Sequence, residues 1–236
     1  MNLFCIPYAG GSEDVFNDWQ ELFAPVVDIR AACLPGRGSR FGEAPIDEMS
    51  ALIEDLAAQC ETDAPLALLG YSFGAIVAYA LALHLEERGR SLVRLVIGGA
   101  RAPFLPPLRP LRHRMTDEEL GAQIAALNGT APEVLAHREM MAMFLPILRA
   151  DFRVVETFDP SRKRVRCPLT VLGGRQDAIV PLDDLMQWRR MSEGKTTLRL
   201  YDGNHFVIHS EMPRICRAIR ADLTRDTMAF AIDCAS

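Results

Sequence analysis

The 236-residue chain lacks any apolar run approaching the roughly 20 residues that a membrane-spanning helix requires; glycine, proline or charge interrupts each one. It also lacks a surplus of positive charge. The formal net charge is -5, which argues against a general nucleic-acid binder. No C-x-x-C pair occurs among Cys5, Cys33, Cys60, Cys167, Cys216 and Cys234. These residues read as small buried thiols rather than a disulfide framework. Met1 to Pro7 has no basic leader and runs straight into an apolar strand pattern, so the expectation is a cytoplasmic protein without a signal peptide. Internal repeats and low-complexity linkers are absent. Gly36 to Gly42 carries G-x-G-x-x-x-G rather than G-x-G-x-x-G and opens no helix, which excludes it as a dinucleotide loop.

What is present is the balance of a globular chain with a sizeable core: 49% hydrophobic and 24% charged residues. Apolar runs recur at Leu3 to Pro7, Val26 to Cys33, Leu66 to Gly70, Leu92 to Gly98, Leu169 to Gly173 and Leu198 to Tyr201. Most are continuous, as in parallel strands covered on both faces. Helical patterns alternate with them, at Asp47 to Cys60, Leu182 to Met191 and Ile215 to Leu223. The predicted fold class is therefore α/β, with a mostly parallel central sheet and helices on both faces, in a single domain over residues 1–236. Residues 101–158 break the rhythm. A proline-rich stretch leads to a capping box at Thr116 to Glu119, a helix stopped at Asn128-Gly129, and another opened by Pro132, with Pro146 as a kink or break. This segment reads as a helical lid over the carboxyl edge of the sheet. Its Met140, Met141 and Met143 suit either plain packing or a pliable lining for acyl chains.

The densest chemical signal is Gly70-Tyr71-Ser72-Phe73-Gly74, a G-x-S-x-G between an apolar strand and an apolar helix. A serine on such a sharp turn is held in a strained conformation with its hydroxyl raised above the sheet. The glycines avoid a collision across the turn, and the following helix aims its positive end at the serine. Serine needs a base and the base an orienting carboxylate. His205 follows the last strand pattern and Asp177 the one before it, both at carboxyl ends where ligands gather in open α/β sheets. Asp183 and Asp184 are the alternative acids, better read as first-turn residues, and Asp202 as a turn residue. His84 sits too far along the helix after Ser72; His113 and His137 are expected to be exposed. An oxyanion hole needs two convergent N–H donors. The Phe73 backbone supplies one, and the glycine-rich loop Pro7 to Ser12 the other.

Together Pro7-Tyr8-Ala9-Gly10-Gly11-Ser12, Leu34-Pro35-Gly36-Arg37-Gly38, the Ser72 pentapeptide, Leu148-Arg149-Ala150-Asp151-Phe152 and Gly203-Asn204-His205-Phe206 resemble the type II thioesterases of nonribosomal peptide and polyketide synthases, across nearly the whole chain. The resemblance implies an α/β-hydrolase fold and hydrolysis of acyl thioesters carried on the phosphopantetheine arm of an acyl or peptidyl carrier protein. It assigns the nucleophile to Ser72, the acid to Asp177, the base to His205 and the oxyanion donors to the Ala9 and Phe73 backbones. Tyr8 and Tyr71 stand where members often have histidine; with Met140 and Phe144 they are the expected substrate-binding residues. No metal or other cofactor is implied, nor a membrane or nucleic-acid partner, and the chain is expected to act in trans as a monomer. Carrier proteins of such systems are commonly acidic, so Arg101, Arg109, Arg112 and Arg114 form one candidate docking patch and Arg162, Lys163, Arg164 and Arg166 another. The residues alone leave open an esterase or lipase acting on free oxyesters, a non-catalytic carrier-binding module, and release by cyclisation or transacylation.

Overall fold

Six apolar runs become six strands: β1 (Asn2–Ile6), β2 (Asp28–Ala31), β3 (Leu66–Tyr71), β4 (Arg94–Gly98), β5 (Leu169–Gly174) and β6 (Thr196–Tyr201). The structure, a computed structural model, describes residues 1–126, 137–160 and 163–233, with side chains of the last helix through residue 228. Among the described residues the strands form one parallel sheet in the order β2-β1-β3-β4-β5-β6. The inner strands β3 and β4 are buried along their whole length, which is why their sequences are continuously apolar. Edge strands β2 and β6 are only partly covered, and there the pattern is more polar.

Successive side chains leave opposite faces of the sheet. Phe4, Ile6, Leu66, Leu68, Leu95 and Ile97 join one core with α2 (Met49–Gln59) and α3 (Phe73–Glu87). Leu3, Cys5, Ala67, Leu69, Tyr71 and Val96 join another with α1 (Trp19–Phe23) and the C-terminal helix. Helix α3 is buried almost all round, which explains a sequence with almost no polar face.

Between β4 and β5 the described residues run through an irregular proline-rich stretch and the helices α4 (Asp117–Ala126) and α5 (Arg138–Glu156). The predicted capping box forms at Thr116: its Oγ1 accepts from the Glu119 N–H at 3.2 Å, and the Glu119 carboxylate accepts from the Thr116 N–H at 2.9 Å. Asn128-Gly129 and Pro132 lie outside the described residues. Pro146, expected to kink or break its helix, does not end it; α5 continues through it. The proline costs a backbone hydrogen bond, but α5 is held from both sides. Leu145, Leu148 and Phe152 form a small core with Leu120 and Ile124 of α4, and Val154 enters the main core. The chain closes with α6 (Leu182–Met186), α7 (Val207–Ser210) and α8 (Met212–Asp233). The last helix is longer than the pattern Ile215 to Leu223 foresaw. No helix among the described residues is long and apolar enough to cross a membrane.

Candidate active site

Parallel pairing brings the carboxyl ends of the strands to one edge, with Tyr71 beside Gly98 and Gly174 beside Tyr201 in register. The loops after β3, β5 and β6 therefore converge. Ser72 is the first residue after β3 and the cap of α3, at φ 54° and ψ -114°. Among the described residues it is the one non-glycine with a positive φ. Such a conformation costs a non-glycine residue on the order of 1–3 kcal/mol and persists only where the surroundings enforce it. The enforcement is close packing: a Cβ on Gly70 would sit 1.9 Å from the Gly74 carbonyl oxygen, and a Cβ on Gly74 2.2 Å from that of Ile6.

His205 stands between Ser72 and Asp177. Its Nε2 lies 3.1 Å from Ser72 Oγ and its Nδ1 2.9 Å from Asp177 Oδ2. The other carboxylate oxygen of Asp177 accepts from the N–H groups of Ile179 at 2.8 Å and Val180 at 3.1 Å. The Asp177 side chain is 2% exposed and that of His205 8%. Burial alone would raise the Asp177 pKa; hydrogen bonding and charge from His205, with the two N–H donors, outweigh it and hold the carboxyl below its usual range. The loops carrying the two residues are tied together, since the Gln176 N–H donates to the Gly203 carbonyl at 3.0 Å. An ionised acid on Nδ1 fixes the tautomer in which Nε2 is free to accept the serine proton. Two of the other acids weighed are engaged elsewhere: Asp184 pairs with Arg101 at 2.6 Å and Asp202 with Arg175 at 3.4 Å.

The loop after β1 faces this serine. Its turn is closed by the Gly11 N–H donating to the Tyr8 carbonyl at 2.9 Å, with Gly10 at φ 76°. A positive φ at the third position is what a type II turn demands. The N–H of Ala9, the second residue of the turn, has no acceptor among the described residues. Neither has that of Phe73, whose place at the start of α3 leaves it without a partner inside the helix.

A cavity of about 720 Å³ opens over Ser72 and His205, bounded by Tyr8, Ala9 and Gly10 on one side and by Met140, Met143 and Phe144 of α5 on the other. A smaller one of about 170 Å³ also reaches Ser72, lined by Phe73, Ile76, Ala102, Leu105 and Phe158. Tyr8, Met140 and Phe144 thus lie where substrate-binding residues were expected. Tyr71 does not. It is 1% exposed and lines neither cavity, because its position on β3 sends the ring into the sheet's core, with the hydroxyl donating to the His205 carbonyl at 2.7 Å. His209 also lines the large cavity, with Nε2 3.1 Å from the Tyr8 hydroxyl. Burial raises the tyrosine pKa and lowers that of the histidine, so both favour a neutral pair. Its place one helical turn after His205 was the available signal.

The arginine patches are also altered. Arg101 is paired, and the half-buried Arg112 lies over the Phe152 ring at 5.2 Å and lines both cavities rather than facing outward. Burial depresses its pKa against the pull of Glu156. His113, expected to be exposed, is 11% exposed and bonded to Glu156 at 2.7 Å. Arg109 and Arg114 are exposed, with no carboxylate partner among the described residues. In the second patch Lys163, Arg164 and Arg166 pair with Glu87, Glu193 and Glu86, while Arg162 lies outside the described residues. Among the described residues no cluster of three or more His, Cys, Asp or Glu side chains is placed to hold a metal ion.

Against known proteins, a thioesterase domain family matches residues 1–223. The chain is 33% identical over 213 residues to the gramicidin S biosynthesis protein GrsT of Aneurinibacillus migulanus, covering 89% of this chain and 83% of that one. It is 36% identical over 225 residues to the thioesterase PikA5 of Streptomyces venezuelae, covering 93% and 79%. The solved structure of the type II thioesterase BorB from the borrelidin biosynthetic cluster superposes with a TM-score of 0.84 at 33% identity, covering 94% of this chain and 92% of that one.

Proposed function

This chain belongs to the thioesterase family and has the α/β-hydrolase fold; from that premise we propose that it is a type II thioesterase of a nonribosomal peptide or polyketide synthase, cleaving acyl thioesters from the phosphopantetheine arm of a separate carrier protein. The observation that carries the reading is His205 hydrogen-bonded to Ser72 on one side and Asp177 on the other.

In this reading Ser72 Oγ attacks the thioester carbonyl while His205 Nε2 takes its proton. Negative charge developing on the carbonyl oxygen is met by the N–H groups of Ala9 and Phe73 at the positive end of α3. The imidazolium, stabilised by the ionised Asp177, returns the proton to the departing pantetheine sulfur. A water molecule, deprotonated by the same nitrogen, then attacks the acyl-serine, and collapse frees the acid and restores Ser72. Helices α4 and α5 act as a lid, and the cavity beneath them takes the substrate. Side chains, backbone and water suffice for every step. Docking falls to the exposed Arg109 and Arg114, which have no carboxylate partner among the described residues and whose charge complements an acidic carrier protein.

The test compares one acyl group presented as a carrier-bound thioester and as a soluble oxyester. Faster hydrolysis of the carrier-bound form, lost in Ser72→Ala, is expected. Preference for the oxyester would make the protein an esterase, and binding of the carrier without turnover a docking module.

A further inference from the structure

One buried ion pair of the molecule is built into the proposed oxyanion loop. Arg37, in the loop after β2, makes a two-pronged contact with Asp151 of α5: Nη1 to Oδ2 at 2.6 Å and Nη2 to Oδ1 at 2.8 Å. The two side chains are 7% and 2% exposed. Oδ2 of the same carboxylate accepts from the Gly10 N–H at 2.8 Å. Three segments distant in sequence thus meet at one oxygen atom. The loop also lies directly against α5, since a Cβ on Gly10 would fall 2.5 Å from the Phe144 ring and 3.0 Å from Leu148.

Within the loop, the turn bond takes the Gly11 N–H and Asp151 takes that of Gly10, leaving the Ala9 N–H without an acceptor among the described residues. A bare carboxylate this near a developing oxyanion would oppose it, because charges interact strongly away from water. Arg37 cancels that field while the hydrogen bond stays. The pairing has a cost: Arg37 Nε is a buried polar atom without a partner among the described residues.

We propose that Asp151 is a positioning residue for catalysis: it clamps the Ala9–Gly10 peptide so that the Ala9 N–H points at the reacting carbonyl, and because Asp151 belongs to α5, this donor is in place only while that helix is seated on the loop. Arg37 keeps the clamp electrically neutral. The inference rests on reading the Ala9 N–H as an oxyanion donor.

The test compares two double variants that both lack the ion pair, Asp151→Asn/Arg37→Met and Asp151→Ala/Arg37→Met. Only the first keeps an acceptor for the Gly10 N–H. Thermal melts establish that both are folded at the assay temperature; if the alanine form unfolds, Asp151→Val/Arg37→Met, which fills the vacated volume, replaces it. With a soluble acyl thioester, kcat of the form without an acceptor should fall about 100-fold below that of the asparagine form, the scale of a misplaced catalytic group. KM should differ by less than about twofold, since ground-state binding does not use the oxyanion donor. Affinity for a boronate that forms a tetrahedral adduct should fall in parallel with kcat. Equal kcat in the two folded variants, or a loss confined to KM, overturns the clamp. Wild-type hydrolysis abolished by Ser72→Ala is measured alongside, so that failure of the thioesterase reading is told apart from failure of the clamp.

Discussion

The hydroxyl of Tyr71 donates to the backbone carbonyl of His205 at 2.7 Å, so the residue just before Ser72 holds the loop that carries His205. Burial, and then the charge of Asp177, raise the Tyr71 pKa far enough to keep the phenol a neutral donor throughout the working pH range. Tyr71→Phe removes the donor and leaves a buried carbonyl unpaired, a loss of about 1–3 kcal/mol. Denaturant melts should show that loss. Turnover should fall by about tenfold or more with KM little changed, as expected when a base is misplaced.

Backbone strain at Ser72 makes a prediction about stability alone. Ser72→Ala and Ser72→Gly both remove the hydroxyl, but only glycine relaxes at φ 54°. The glycine variant should be more stable than the alanine variant by about 1 kcal/mol, read as a higher Tm. Equal stability would mean that the turn is unstrained.

The folded-state pKa of Asp177 is depressed, so its ionisation contributes stability that is fully present above the unfolded value of about 3.9 and is lost as pH falls through the lower folded value. Between about pH 5 and the acid transition, wild type should lose stability more steeply than Asp177→Asn. Urea midpoints across that range measure the difference, and superimposable pH profiles would contradict the pairing with His205.

Charge reversal at Arg109 and Arg114 should lower kcat/KM on a carrier-bound thioester about tenfold at low ionic strength, with the deficit shrinking as salt screens the encounter. A small thioester of the same acyl group should be hydrolysed as by wild type. Reversal at Lys163 and Arg164 should change neither rate, because Glu87 and Glu193 already neutralise them.

Much of the site was legible in the chain because continuous hydrophobicity stops where a buried strand ends. Ser72 and Asp177 each follow such a stop, His205 follows the partly covered edge strand β6, and parallel pairing carries all three strand ends to one edge of the sheet. The direction of individual side chains was not legible. Tyr71 was expected in the pocket, yet its parity on β3 turns it into the core. Arg112 was expected at the surface, yet packing on Phe152 draws it to the cavity wall. Pro146 signalled a kink or break by local rules, but α5 runs on through it, because its contacts with α4 and the main core outweigh a single missing hydrogen bond. The ion pair of Arg37 and Asp151 was invisible because its partners come from separate segments, joined only by the fold.

The account depends on His205 making the Ser72 hydroxyl nucleophilic. The most direct measurement is the rate at which an alkyl fluorophosphonate labels Ser72, followed by intact mass, in wild type and in His205→Ala. Labelling of wild type at Ser72, slowed at least ~10³-fold in the variant, is the predicted result. Equal labelling rates in the two proteins, both folded, would contradict it.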